Sequence, residues 1–139
     1  ISGGSIDEPI GRDPKDRIKQ AILSRGKEAL THYRVIDRFK SHTHVKAILE
    51  TGRTHQIRVH LSHIGHSLIG DPMYGGRVRF PKKADDELKK ELLNFKRQAL
   101  HSKKLTLIHP NSGESMSWKA QLPDDMMSLL NILTKFDPA

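Results

Sequence analysis

Residues 49 to 66 read LETGRTHQIRVHLSHIGH, so two arginines and four histidines crowd a stretch whose apolar residues keep helical spacing. Such a cluster could hold a metal, move protons or bind an anion. A metal site on a helix wants histidines three or four apart with an acid or third histidine on the same face, as in H-E-x-x-H. His60 and His63, and His63 and His66, are three apart, but no acid lies among them and Gly65 should end the helix. These histidines are therefore expected to hydrogen-bond loops or phosphates rather than zinc, and no metal is assigned. A hydrolase is not indicated, because no G-x-S-x-G elbow occurs. The segment GDPMYGG, residues 70 to 76, lacks the spacing and the Lys-Ser/Thr of a phosphate-binding P-loop.

What remains is a cationic face opposite an apolar stripe. With Ile57, Leu61 and Ile64 turned inward, Arg58 lies on their flank and should be partly buried. A desolvated guanidinium is costly without a carboxylate or phosphate, so the spacing predicts a buried anionic partner for Arg58. Spacing alone leaves a surface arginine equally open. Arg53 and His55 stand where free backbone N–H groups at a helix start could join them in holding a phosphate.

The elements around this stretch read as strand pairs separated by helices. Residues 1 to 17 carry turn chemistry at Gly3-Gly4, Glu8-Pro9 and Asp13-Pro14, with short strands allowed around Ile6 and Ile10. Residues 29 to 39 (ALTHYRVIDRF) and 44 to 50 (HVKAILE) have strand composition, and KSHT between them predicts an antiparallel hairpin. Thr54 is the expected cap of the central helix and Gly65 its stop. A short strand followed by a turn is expected in HSLIGDPMYGGR, a helix beginning in the charged run 82 to 90, a second hairpin in KKLTLIHP-NSGE-SMSWKAQL, and a final helix after Pro123. The fold class expected is α+β, a mixed and mainly antiparallel sheet with flanking helices.

At 139 residues the chain has room for one domain, assigned as residues 1 to 139. Twenty-four Lys and Arg against sixteen Asp and Glu, a formal charge of +8, favour a polyanionic partner such as a nucleic acid. There is no cysteine, which excludes disulfides, thiolate ligands and cysteine nucleophiles. No apolar run approaches membrane-spanning length and no secretory signal opens the chain, so no membrane partner is assigned and the cytoplasm is the default location.

The stretch LETGRTHQIRVHLSHIGHSLIGDPMYGG resembles the signature of the pseudouridine synthases that modify ribosomal RNA, in the branch of large-subunit synthases A, C and D. KEALTHYRVI upstream, RQALHSKKLTLIHPNSGE downstream and LPDDM near the end extend the likeness over nearly the whole chain. The resemblance implies an isomerase that converts uridine to pseudouridine in large-subunit ribosomal RNA without metal or organic cofactor. In this family an aspartate in an H-R-L-D segment acts on the ribose; no such segment occurs here. The expectation is a later part of the catalytic domain, inactive alone, with Arg58 paired to that absent aspartate and Asp71 without a site role.

By the same resemblance Tyr33 is a stacking platform under the target uracil and a candidate acceptor of the C5 proton. Leu61 would line the uracil pocket, or fill the core. Arg53, Thr54, His55 and Gln56 would form pocket walls or contact the RNA backbone, while Arg97, Gln98 and His101 would be structural. Arg12, Lys15, Arg17, Lys19, Lys82 and Lys83 are candidate phosphate contacts. The alternative is an RNA-binding module without catalysis.

Overall fold

The computed structural model describes residues 2–139. Strands β1 (Gly3–Asp7), β4 (Leu30–Arg38) and β5 (Thr43–Leu49) form an antiparallel sheet in the order β1-β4-β5, while β2 (Ile10–Arg12) pairs with β3 (Gln20–Ile22). Helix α1 (Gln56–His63) follows β5, and α2 (Asp86–Asn94) precedes a hairpin of β6 (Lys104–Ile108) and β7 (Ser115–Lys119). Helix α3 (Asp124–Phe136) comes last. The α+β class with antiparallel pairing is the one expected.

Period-two alternation makes β4 and β5 a hairpin, with Tyr33 opposite Ala47 and Val35 opposite Val45. A bulge between Val35 and Asp37 shifts the register toward the connection at residues 39–42. That connection is pinned by the C-terminal end of the chain. The buried Asp137 carboxylate accepts the Ser41 N–H at 2.9 Å and meets His42 Nδ1 at 2.9 Å, and its carbonyl accepts the Lys40 N–H. Asp124 and Asp125 open α3 at the end where its dipole favours them.

Three expectations need correction. No strand forms in residues 66–77, which run as successive turns with Gly70 and Gly76 at φ of 74° and 63°. The charged run contributes to α2 only from Asp86 onward, because Pro81 and the positive φ of Lys83 hold the preceding residues in a turn. His55, not Thr54, flanks the start of α1, in the left-handed conformation and without a side-chain cap.

The apolar interior lies in two places. Leu88, Leu92 and Phe95 of the α2 region pack on Leu129 and Leu133 of α3. Ile10, Ala29 and Val59 form a second cluster, against which Ile22 and Tyr74 pack, and this one seats α1 on the β2–β3 hairpin. The β6–β7 hairpin is exposed along its length, with Leu105 opposite Trp118 and Leu107 opposite Met116 on one face.

Candidate active site

Helix α1 is not the one-sided amphipath its spacing suggests. Gln56, Arg58, Val59, His60 and Leu61 are buried, whereas Ile64 is 37% exposed and Ile57 only half-buried. The stripe of Ile57, Leu61 and Ile64 is thus corrected to a helix enclosed on several sides in its first two turns. One side meets β4 through polar groups. His60, 0% exposed, joins Thr31 Oγ1 to its Nδ1 at 2.7 Å and reaches the Glu8 carbonyl with Nε2 at 2.8 Å. A carbonyl can only accept, so His60 Nε2 carries a proton and donates to Glu8.

Gln56 completes this network. Its amide nitrogen donates to the Leu30 carbonyl at 3.0 Å and to Thr31 Oγ1 at 2.9 Å, while its oxygen accepts from Thr51 Oγ1 at 2.7 Å and the Arg53 N–H at 2.9 Å. All four hydrogen-bonding positions of the side chain are filled. Gln56→Leu keeps the volume but strands these partners, so it should cost about 1–3 kcal/mol for each group left unsatisfied. The check is a lower urea midpoint at unchanged slope; an unmoved midpoint would show that the network is dispensable.

The opposite side of α1 carries the ion pair. Arg58 Nε and Nη2 donate to the two carboxylate oxygens of Asp71, both at 2.8 Å, with side-chain exposures of 9% and 0%. The spacing argument for a buried anion is met, but by Asp71, the aspartate set aside at the sequence level. Asp71 reaches Arg58 because residues 68–75 turn tightly. Its N–H donates to the Leu68 carbonyl, and its Oδ1 also accepts the backbone N–H groups of Met73 and Tyr74 at 2.9 and 3.1 Å. Burial pushes the Asp71 carboxyl up, but hydrogen bonds from Arg58, Met73 and Tyr74 outweigh it and hold the group below its ordinary range. The same hydrogen bond to Asp71 raises Arg58, against the opposing effect of burial. Arg58 Nη1 makes no hydrogen bond among the described residues.

Tyr74, which the sequence analysis did not single out, sits at the centre of this side. Its ring lies 4.9 Å from the Arg58 guanidinium carbon and meets the His55 ring edge-on at 5.5 Å. Its hydroxyl accepts the Gln20 N–H at 2.9 Å and contacts His55 Nδ1 at 2.7 Å. Burial, then the charge of Arg58, lowers the His55 pKa and keeps the ring neutral, so Tyr74 can donate its one proton to Nδ1. For Asp71, though not for Tyr74, a sequence signal existed. An Asp after Gly70, able to accept N–H groups two and three residues on, is a turn-forming Asp with its second oxygen free for a cation.

The other expected site residues are placed as follows. Tyr33 lies half-buried on the β4 face it shares with Thr31, paired with Gly4 of β1, and a Cβ at Gly4 would come within 2.8 Å of its hydroxyl. Glycine there leaves the ring its space. Tyr33 and Arg58 are not brought together: no hydrogen bond or ring contact joins them among the described residues, and Arg58 projects about 200° around the helix from His60, the side that meets β4. Leu61 is buried. Arg53 Nε donates to the Glu28 carbonyl at 2.8 Å, and Thr54 is exposed. Arg97 grips Asp125 with two hydrogen bonds of 2.7 Å, and His101 Nε2 donates to the Ala120 carbonyl. The motifs RQALHS and LPDDM are thereby tied together as framework.

The family profile described as RNA pseudouridylate synthase matches residues 2–63. The chain is 54% identical over 132 residues to ribosomal large subunit pseudouridine synthase D of Pseudomonas aeruginosa, covering 95% of this chain and 41% of that protein. It is 51% identical to the synthase D of Escherichia coli K12, again over 132 residues and covering 40% of it. The chain therefore spans about two fifths of the length of these relatives. Among solved structures, human RNA pseudouridylate synthase domain containing 4 superposes with a TM-score of 0.67 at 26% identity, over 96% of this chain and 57% of that one. The human domain containing 1 gives 0.64 at 28% identity, over 100% and 54%. The helix that holds Arg58, its strand partner β4 and the β2–β3 hairpin beneath Tyr74 all fall in the stretch over which this chain is similar to RNA pseudouridylate synthases.

Proposed function

We propose that the protein containing this chain isomerises uridine to pseudouridine in large-subunit ribosomal RNA, and that this chain contributes Arg58 and Tyr33 to the reaction. In that isomerisation the N1–C1′ bond breaks, the uracil turns, C5 joins C1′, and the C5 proton is exchanged for one on N1. The observation that carries the reading is the buried Arg58. Asp71 holds the guanidinium by Nε and Nη2, which leaves Nη1 as the donor available to a second carboxylate.

On this reading the nucleophilic aspartate belongs to a segment other than residues 1 to 139, since no aspartate here stands in an H-R-L-D context. Tyr33 then serves the uracil as a platform, and glycine opposite it keeps the ring accessible. Leu61 lines the pocket, and Arg53, Thr54, His55 and Gln56 hold its wall. Exposed Arg12, Lys15, Arg17, Lys82 and Lys83, with half-buried Lys19, supply phosphate contacts that carry no sequence information. The formal charge of +8 suits that partner. The reaction needs no metal or organic cofactor, and the cytoplasm is the compartment where such RNA is found.

The test is to express the intact protein, incubate it with unmodified large-subunit ribosomal RNA and map pseudouridines by chemical labelling. Site-selective pseudouridine formation is expected without added metal. Salt-sensitive RNA binding with no pseudouridine at any position would replace the enzyme with an RNA-binding module.

A further inference from the structure

The chain has two tyrosines, and only Tyr33 is used by the reaction as described. Tyr74 is the better connected. Its hydroxyl accepts the Gln20 N–H, the first backbone donor of β3, and its ring supports the Arg58 guanidinium. Immediately before Gln20 runs the loop of residues 13–19, which exposes Lys15 and Arg17.

This loop is stiff. The Asp13 N–H donates to the Lys19 carbonyl, Asp13 Oδ1 accepts the Lys15 N–H at 2.8 Å, and Asp16 Oδ1 accepts the Ile18 N–H at 3.1 Å. These bonds connect the segment that carries Lys15 and Arg17 to the base of the loop. At that base Ile10 and Ile22 of the hairpin lie in the cluster that Tyr74 joins. The loop that carries these cations thus leads into Gln20, which Tyr74 links to Arg58.

We propose that Tyr74 is a positioning residue that ties an RNA-gripping loop, residues 13–19, to the Arg58 guanidinium, so that RNA phosphates seated on Lys15 and Arg17 set the orientation of Arg58. The inference rests on the isomerase reading above. It makes phosphate binding on one side of α1 a condition for alignment of the reacting group on the same side. Tyr74→Phe keeps the ring beneath Arg58 and removes only the hydroxyl links to Gln20 and His55.

The experiment is a double-mutant cycle in the intact protein, with Tyr74→Phe and the pair Lys15→Ala/Arg17→Ala, alone and together. Two quantities are read: the single-turnover rate of pseudouridine formation at saturating enzyme, and RNA affinity. Tyr74→Phe should lower the saturating rate about tenfold, the equivalent of one positioned hydrogen bond, with affinity within about twofold. The loop pair should weaken binding and also slow the saturating rate, and that slowing should disappear in the Tyr74→Phe background. An unchanged Tyr74→Phe rate, or rate effects that simply multiply, would overturn the coupling.

If Tyr74→Phe does not fold, the loop pair alone decides. A slower saturating rate supports the link, and a change confined to affinity overturns it. An intact wild-type protein that forms no pseudouridine would overturn the isomerase reading itself. Failure of the cycle in an active wild type removes only the role of Tyr74.

Discussion

Arg58→Ala in the intact protein should reduce pseudouridine formation to background, a loss of about 10³-fold or more, while RNA affinity changes only slightly. The separation follows from where Arg58 sits. It is buried and paired with Asp71, unlike the exposed cations proposed to meet phosphate, so it should add little to the salt-dependent binding term. A guanidinium that orients and stabilises a reacting carboxylate acts mainly on the transition state, and its removal lowers kcat and kcat/KM together. Arg58→Lys should recover little, because an ammonium cannot bridge Asp71 with two parallel hydrogen bonds and still offer a third donor in the same plane. Rapid-quench turnover and filter binding on the same RNA supply the comparison. Strong loss of affinity with turnover retained would assign Arg58 to RNA binding instead.

Asp71→Ala should be the most damaging single change to stability, costing about 3–5 kcal/mol, the range for breaking a buried pair and leaving one charge without compensation. Asp71 also accepts the N–H groups of Met73 and Tyr74, so its loss loosens the turn that presents Tyr74. Asp71→Asn is the informative companion: it preserves shape and part of the hydrogen bonding but removes the charge, and should fall between wild type and alanine. Chemical denaturation gives both values, and an Asp71→Ala protein as stable as wild type would show that the pair is not buried in solution.

The same pair sets a pH dependence of known sign. The folded-state pKa of Asp71 lies below the unfolded value near 3.8, so the unfolded chain takes up this proton first. Its contribution is complete above that value and is lost as pH falls below it, through the folded-state pKa. In Asp71→Asn that part of the acid limb should be absent.

Arg97 and Asp125 make an instructive contrast with this pair. They have two hydrogen bonds of 2.7 Å, geometrically as good as those of Arg58 and Asp71, yet both side chains are about half exposed. Water screens that pair and little stability depends on it. Burial, not distance, separates the two arginines.

Several elements were legible in the sequence because local chemistry alone decides them. Alternation with β-branched residues placed β4 and β5 nearly to their observed bounds, and Pro123 with two following acids placed the start of α3. The KSHT turn and the NSGE turn were readable for the same reason. The face of α1 was not. An apolar stripe identifies the buried side of a helix only when the other side meets water, and α1 is enclosed by β4 on one side and by the 68–75 turn on the other. Its polar residues Gln56 and His60 are buried because each finds every partner it needs, and periodicity carries no record of that.

Residue types and their spacing were enough for the α+β class, the β4–β5 and β6–β7 hairpins, the family signature and, as one of two open readings, an anion for Arg58. Each depends on residue type and short-range spacing. Only the tertiary structure decided which anion, because Asp71 lies 13 residues from Arg58 and reaches it through a turn at Gly70 whose φ of 74° suits glycine. The structure likewise decided that Tyr74 rather than Tyr33 touches Arg58, since a contact among a helix, a turn and a hairpin arises from three chain reversals acting together. No local pattern encodes that sum.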